Sequence, residues 1–157
     1  MFTRRDGMVA LAAAAVTACG FAIAQQAPLK GSFVVDWNSI PDKPNDSGSV
    51  RTFFRTKTAT LDELEVHVTT LNPRQAPHPP HQHPNEEMLI IKQGTLEALI
   101  NGEWKRVGPG SVIFLASNVL HGVRNVGKDP AIYHVIGFRT AATPPDPPKT
   151  AAGSSGN

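Results

Sequence analysis

Three of the six histidines in this 157-residue chain fall in one short stretch, Ala76-Pro77-His78-Pro79-Pro80-His81-Gln82-His83, and a carboxylate follows at Glu87. His81, His83 and Glu87 share odd parity. Along an extended chain, residues two apart lie on one face. Two imidazoles and a carboxylate can therefore point into one space while Gln82 and Glu86 point away. His121 stands near Asn118 at the start of a later strand-like segment, and antiparallel pairing can bring it opposite the first group. Three imidazoles and one carboxylate make a mixed nitrogen and oxygen donor set. It suits Mn, Fe, Co, Ni, Cu or Zn and is too rich in nitrogen for Mg or Ca. Four such ligands on an octahedral ion leave positions open to water, oxygen or substrate, and open positions distinguish a catalytic metal site from a structural one. The lone cysteine, Cys19, excludes an intrachain disulfide and a thiolate zinc site, so any metal chemistry rests on histidine and carboxylate.

The elements that must position these residues read as all-β. Candidate strands are Phe33–Trp37, Val50–Thr56, Glu63–Leu71, Glu87–Lys92, Thr95–Ile100, Trp104–Val107, Ser111–Leu115, His121–Asn125 and Ile132–Phe138. They are short, rich in Val, Ile, Phe and Thr, and separated by Gly, Pro and Asn. Asn101-Gly102, between Leu99-Ile100 and Trp104, is a two-residue hairpin signal because both positions tolerate positive φ. Gln93-Gly94 and Pro109-Gly110 mark further turns. Many short strands at close spacing imply a sandwich or a small barrel. Met88-Leu89-Ile90-Ile91 and Val112-Ile113-Phe114-Leu115 do not alternate, so both of their faces need cover. That cover comes from the second sheet and the N-terminal segment, or from a second copy of the chain in a homodimer.

Composition bounds the rest. The apolar share of 40% fits one domain with a core of its own. A net charge of +2 with no basic run or basic-aromatic stripe argues against a nucleic-acid partner and leaves a small molecule as the expected ligand. Residues 1–24 read as a signal peptide. Arg4 and Arg5 supply the charged start, Met8 to Ala18 is apolar, and Ala22-Ile23-Ala24 is a small-x-small cleavage site. The apolar run is too short for a membrane span, so the expected location is periplasmic or extracellular. Thr3-Arg4-Arg5-Asp6-Gly7-Met8 resembles a twin-arginine signal, and the general secretory route stays open beside it. Val16-Thr17-Ala18-Cys19 resembles a lipobox, which makes a lipid anchor at Cys19 the alternative. Pro144-Pro145-Asp146-Pro147-Pro148 and the small polar residues after it read as a disordered tail over 141–157, leaving 25–140 for the folded domain.

The histidine stretch belongs to a longer pattern. From His81 to Gly94 it runs His-x-His, three residues, Glu, six residues, Gly, and resembles the first motif of the cupin family. Gly110 through Asn125 is similar to the second motif, with Gly110, His121 and Asn125 at its Gly, His and Asn positions. Gln75 stands where the first motif opens on glycine, Ala116 where proline is usual, and Asn118 where glycine is usual. Asparagine is the next best residue for a left-handed backbone, so the turn before His121 can survive. The resemblance covers roughly residues 60–138. It implies a small conical β-barrel (a jelly roll, or double-stranded β-helix), often dimeric, with one divalent transition metal (Fe, Mn, Cu, Ni or Zn) held inside by His81, His83, Glu87 and His121.

The remaining histidines are placed by parity. His67 is opposite in parity to Leu64, Val66 and Val68 and is expected to face outward. His134 alternates with Ile132 and Ile136 and is expected inward, which makes it the candidate catalytic residue. Tyr133 lies on the other face from His134, so at most one of the two lines the cavity. His78 is read as a loop residue, with a role at the rim of the pocket left open. The resemblance admits oxygenation, isomerisation, decarboxylation and hydrolysis, and the fold does not choose among them. A metal-dependent oxygenase acting on a small organic molecule is the first reading, with His134 or His67 assisting proton transfer. The alternative is a non-catalytic periplasmic protein that binds a metal or small ligand at the same site.

Overall fold

The computed structural model describes residues 31–146. The expected signal segment, Cys19 and the tail from 147 onward lie outside these residues. Within them, nine strands form in chain order: β1 (Lys43–Asn45), β2 (Gly48–Thr56), β3 (Glu63–Leu71), β4 (Glu86–Gln93), β5 (Leu96–Ile100), β6 (Glu103–Val107), β7 (Val112–Leu115), β8 (Gly122–Asn125) and β9 (Ala131–Arg139). All pairings are antiparallel, in a six-stranded sheet of order β1-β2-β3-β9-β4-β7 and a three-stranded sheet of order β6-β5-β8. No helix among the described residues is long and apolar enough to cross a membrane.

The turns follow the residues that can make them. Asn101 and Gly102 take φ of 53° and 83°, closing the β5–β6 hairpin as their positive-φ tolerance dictates. Asn118 sits at φ 57°, in the left-handed region expected of it. Phe33–Trp37, in contrast, is not a strand. The Asp36 carboxylate accepts a hydrogen bond from the Asn38 amide at 2.8 Å, and the chain enters a three-residue 3-10 turn at Trp37–Ser39 instead. The sheet's edge is β1, whose Pro44 is tolerated because an edge strand leaves one row of amides unpaired.

Register fixes which residues share a face of the large sheet. One set of rows, Glu65–Gly137–Glu87–Leu115 and His67–Val135–Leu89–Ile113, faces the small sheet. There Leu71, Leu89, Ile91, Ile113, Leu115, Tyr133 and Val135 pack with Leu96, Ala98 and Val123 into a single core. The opposite set includes the row Val68–His134–Ile90–Val112. Its β2–β3 side is covered by the segment before β1. Phe33 packs edge-on against Phe54 at 4.9 Å, and Trp37 lies between the Arg51 guanidinium at 4.8 Å and the Lys92 ammonium at 5.2 Å. Toward β7 the cover ends, and Val112 and Phe114 are 59% and 51% exposed.

The last described residues continue past β9 as a turn, with the Thr140 amide donating to the Thr143 hydroxyl at 2.8 Å. The Asn118 side chain donates to the Pro145 carbonyl at 3.0 Å.

Candidate metal centre

The segment that carries His81 and His83 is not a continuous strand. Its prolines keep it out of the ladder, and it touches the rest of the barrel through one isolated bridge. The partner in that bridge is His121: the His81 amide donates to the His121 carbonyl at 2.9 Å and the His121 amide returns the bond at 3.0 Å. The turn at Asn118 closes the arrangement. Its amide donates to the His83 carbonyl at 2.8 Å, and the Gln82 side chain donates to its carbonyl at 2.9 Å. The two halves of the sequence pattern are thus fastened to each other by backbone, with the ligand side chains on one side of the joint. Glu87 enters from the second residue of β4.

The imidazoles of His81, His83 and His121 converge. Their ligand nitrogens lie within 4.8 Å of one another, and the ring centroids are 4.7 to 5.1 Å apart. Glu87 Oε1 lies 3.4 Å from His83 Nε2. Two of the rings are held from behind. His83 Nδ1 bonds the Asn85 carbonyl at 3.0 Å, and His121 Nδ1 bonds the Val119 carbonyl at 2.8 Å. A carbonyl only accepts, so Nδ1 carries the hydrogen and Nε2 keeps its lone pair for the centre of the cluster. Asn85 is fixed in turn by donating to Glu63 at 3.0 Å, and Glu63 is clasped by Arg55 at 2.7 and 2.8 Å.

The residues present fit a metal ion. Buried polar atoms almost always find a partner, yet His121 Nε2 and His81 Nδ1 are buried with none among the described residues. Both belong to the cluster, and a cation is the partner that satisfies lone pairs facing each other. Electrostatics point the same way. Burial, and then the neighbouring imidazoles of His78, His121 and His83, push His81 down to about 4. Burial likewise lowers His121. Both rings are therefore held in the neutral form that ligates. His83 is raised, chiefly by a hydrogen bond to Glu87 through a proton on Nε2 that a bound ion would displace. Burial pushes Glu87 up, but the His83 bond and the nearby imidazoles outweigh it and the carboxyl ends below its usual range.

These four side chains stand at the wall of a cavity of about 330 Å³. Val50, Leu89, Leu115, Val123, Tyr133 and Val135 supply apolar surface, and no lysine or arginine is among its lining residues. Tyr133 is buried, which raises its hydroxyl, and it hydrogen-bonds Thr69. His78, in the loop, stands at the rim with its ring centroid 4.1 Å from that of His81.

Parity misplaces two histidines. His134 was expected inward, but it lies in the outer row between Val68 and Ile90, near Lys92, and does not line the cavity. Tyr133 lines it instead. His67 was expected outward and lines the cavity beside Thr69. Both departures have one cause: on β3 and β9 the alternating aliphatic residues face the outer side, Val68 buried and Leu64, Val66, Ile132 and Ile136 half-buried. Thr69 shares parity with His67 and is 4% exposed on the cavity face, a burial that its polar type alone does not announce.

Residues 67–137 match the family described as Cupin_2: Cupin domain. No curated protein matches the chain. Among solved structures, an RmlC-like cupin from Shewanella frigidimarina superposes with a TM-score of 0.59 at 11% identity, covering 73% of this chain and 97% of the other. The polyketide cyclase RemF from Streptomyces resistomycificus gives 0.57 at 16% identity, covering 78% and 89%. KdgF from a Halomonas species gives 0.54 at 18%, covering 71% and 97%. Likeness at these identities speaks for the fold: the two sheets are the cupin-type jelly-roll barrel. The matched residues 67–137 lie within this barrel.

Proposed function

We propose that this chain is an exported metal-binding cupin that holds one divalent transition ion through His81, His83, Glu87 and His121 and acts on a small organic molecule. The convergence of three imidazoles and a carboxylate at the wall of an otherwise largely apolar cavity carries this reading. Bound there, such an ion supplies Lewis acidity and open coordination positions, chemistry that suits oxygenation first and isomerisation or decarboxylation next. The protein's share is positional. Asn85 and Val119 hold His83 and His121 in the ligating tautomer. Leu89, Leu115 and Val135 exclude water from the side where the organic ligand would sit.

A second reading, a non-catalytic periplasmic metal- or ligand-binding protein, is favoured by one observation. Glu87 is the sole carboxylate among the residues lining the cavity, which leaves no second acid to shuttle protons. Metal analysis of the protein from its native compartment, beside His83→Ala, tests what the two readings share. Stoichiometric Fe, Mn, Cu or Ni that vanishes in the variant is the expected result, and no metal in either would sink both. Turnover on a panel of catechols, flavonols, oxalate and keto acids then divides them. Dioxygen consumption or carbon dioxide release favours the enzyme, and saturable binding without product favours the module. Export through a twin-arginine signal would let the protein fold around Mn or Fe in the cytoplasm, away from the copper and zinc that otherwise outcompete them. Replacing Arg4 and Arg5 by lysine should then change export and metal content, and no change in either would defeat that route.

A further inference from the structure

We infer that His67, held by Glu65, is a ligand-recognition residue: it presents a hydrogen-bond acceptor to the cavity and selects a small molecule that carries a second hydroxyl. The inference rests on the metal reading above and adds to it the chemical class of what lies beside the ion.

The arrangement begins with a bulge. β2 pairs with β3 through Thr52↔His67 and then shifts register, resuming at Phe54↔Val66. The extra residue, Phe53, turns the strand so that Arg55 pairs with Glu65 and shares the cavity face with it. Without the shift Arg55 would sit on the outer face. As built, Arg55 Nη1 lies 3.7 Å from Glu65 Oε2, and Glu65 Oε1 lies 3.2 Å from His67 Nδ1. A carboxylate accepts only, so in the neutral ring Nδ1 carries the hydrogen and Nε2 keeps a lone pair. His67 lines the cavity, and its remaining nitrogen is the one left for a ligand.

The same wall argues for the ligand's charge. Arg55 is spent on Glu63 and Glu65 and is not among the lining residues, so away from the ion a carboxylate or phosphate on the ligand would gain no cationic partner. The groups near His67 are Glu65 on its own strand, itself 3.7 Å from Arg55 of β2, Glu87 on β4 and Tyr133 on β9. Beside it in register is the aliphatic row Val135–Leu89. A neutral ring with one oxygen toward the ion and a hydroxyl toward His67 matches that surface.

Zinc-loaded protein is redox-inert and can be titrated calorimetrically with resorcinol and with 3-methoxyphenol. The two differ by one hydroxyl, and their meta spacing prevents chelation of a single ion. Resorcinol should bind about tenfold tighter than 3-methoxyphenol, the worth of one good hydrogen bond to a buried acceptor. His67→Leu should erase that ratio while leaving 3-methoxyphenol affinity unchanged, and His67→Gln, whose amide oxygen still accepts, should restore part of it. A ratio that survives in His67→Leu, or no ratio in the wild type, would each overturn the inference. Zinc content, measured first, separates the two levels. Full zinc with no resorcinol preference defeats this inference alone, and a wild type that takes no zinc defeats the metal reading on which it stands.

Discussion

The two faces of the six-stranded sheet are built from the same strands and differ in what alternation puts on them. The inner face carries Glu65, His67 and Thr69 on β3 and Glu87 on β4, among the aliphatic residues of the core. The outer face carries Leu64, Val66 and Val68 on β3 and Ile132, His134 and Ile136 on β9. Judged by hydropathy on these strands, the outer face looks like the inside. Val68 is 2% exposed there, beside Arg51 in register, on the face that Phe33 and Trp37 pack against rather than the one toward the second sheet. In a barrel whose cavity mixes a polar cluster with aliphatic walls, greasy parity marks whichever side is covered by chain, and chemistry sits on the mixed side.

The largest effect expected to separate the faces is metal-linked stability. Loading the inner cluster should stabilise the fold by about 4 kcal/mol when free ion exceeds its dissociation constant a thousandfold. Calorimetry with and without chelator should show this gain in the wild type and in His134→Ala, and should lose it in His83→Ala. Loss in His134→Ala as well would mean that the outer histidine reaches the site, and would break the distinction.

Next in size is Asn125, 1% exposed, which joins the inner ends of three segments. Its amide nitrogen donates to the carbonyls of Leu71 and Asn72 at 3.1 Å and of Asp129 at 2.9 Å, and its oxygen accepts from the Gly127 amide at 2.9 Å. Asn125→Ala leaves those buried groups without a partner and should cost roughly 3 kcal/mol by denaturant unfolding. A cost near that of a surface change would show water replacing the side chain.

Much of this was legible before any coordinates. Eight of the nine expected strands form, because turn residues such as Asn101-Gly102 and the β-branched runs between them act locally. Spacing set His81, His83 and Glu87 on one face, the resemblance to the second motif added His121, and Asn118 takes the left-handed turn that brings the two halves together. What escaped depends on distant chain. Phe33–Trp37 has strand composition, but Asp36 caps a turn there and the segment's role is to cover the sheet, not to extend it. The faces of His67 and His134 depend on that same cover, and the place of Arg55 depends on a one-residue bulge that composition does not announce.

A smaller effect concerns pH in the metal-free protein. His81 sits at about 4 when folded against 6.5 when free, so between those values the unfolded chain binds a proton that the native state refuses. Stability from this group is complete above pH 6.5 and falls as pH drops toward 4. His121 and His134 are lowered too, and act in the same direction. His83 is raised, so its contribution is present below 6.5 and fades as pH rises through its folded value. The thermal midpoint of chelator-treated protein should therefore peak near pH 6.5 and decline on the acid side. His81→Asn should flatten the acid limb more than His134→Asn, and equal flattening would place both histidines in equivalent surroundings.

The smallest effect on the single chain is expected at the uncovered end of the outer face, and it sharpens the comparison most. Ile90, Val112 and Phe114 are 38%, 59% and 51% exposed and stand side by side on β4 and β7. Solvent-exposed aliphatic residues contribute little to folding, so Val112→Thr with Phe114→Thr should change the stability of an isolated chain by no more than about 0.5 kcal/mol. A second copy of the chain lying on this strip, completing for β4 and β7 the cover that the N-terminal segment gives β3, would change what the substitution does. The wild type would then scatter light at twice the chain's mass, the double variant at the chain's mass, and the wild type's thermal midpoint would rise with concentration. A sharp monomer peak from the wild type would leave the strip facing water and confine covered apolar parity on the outer face to the strands beneath Phe33 and Trp37.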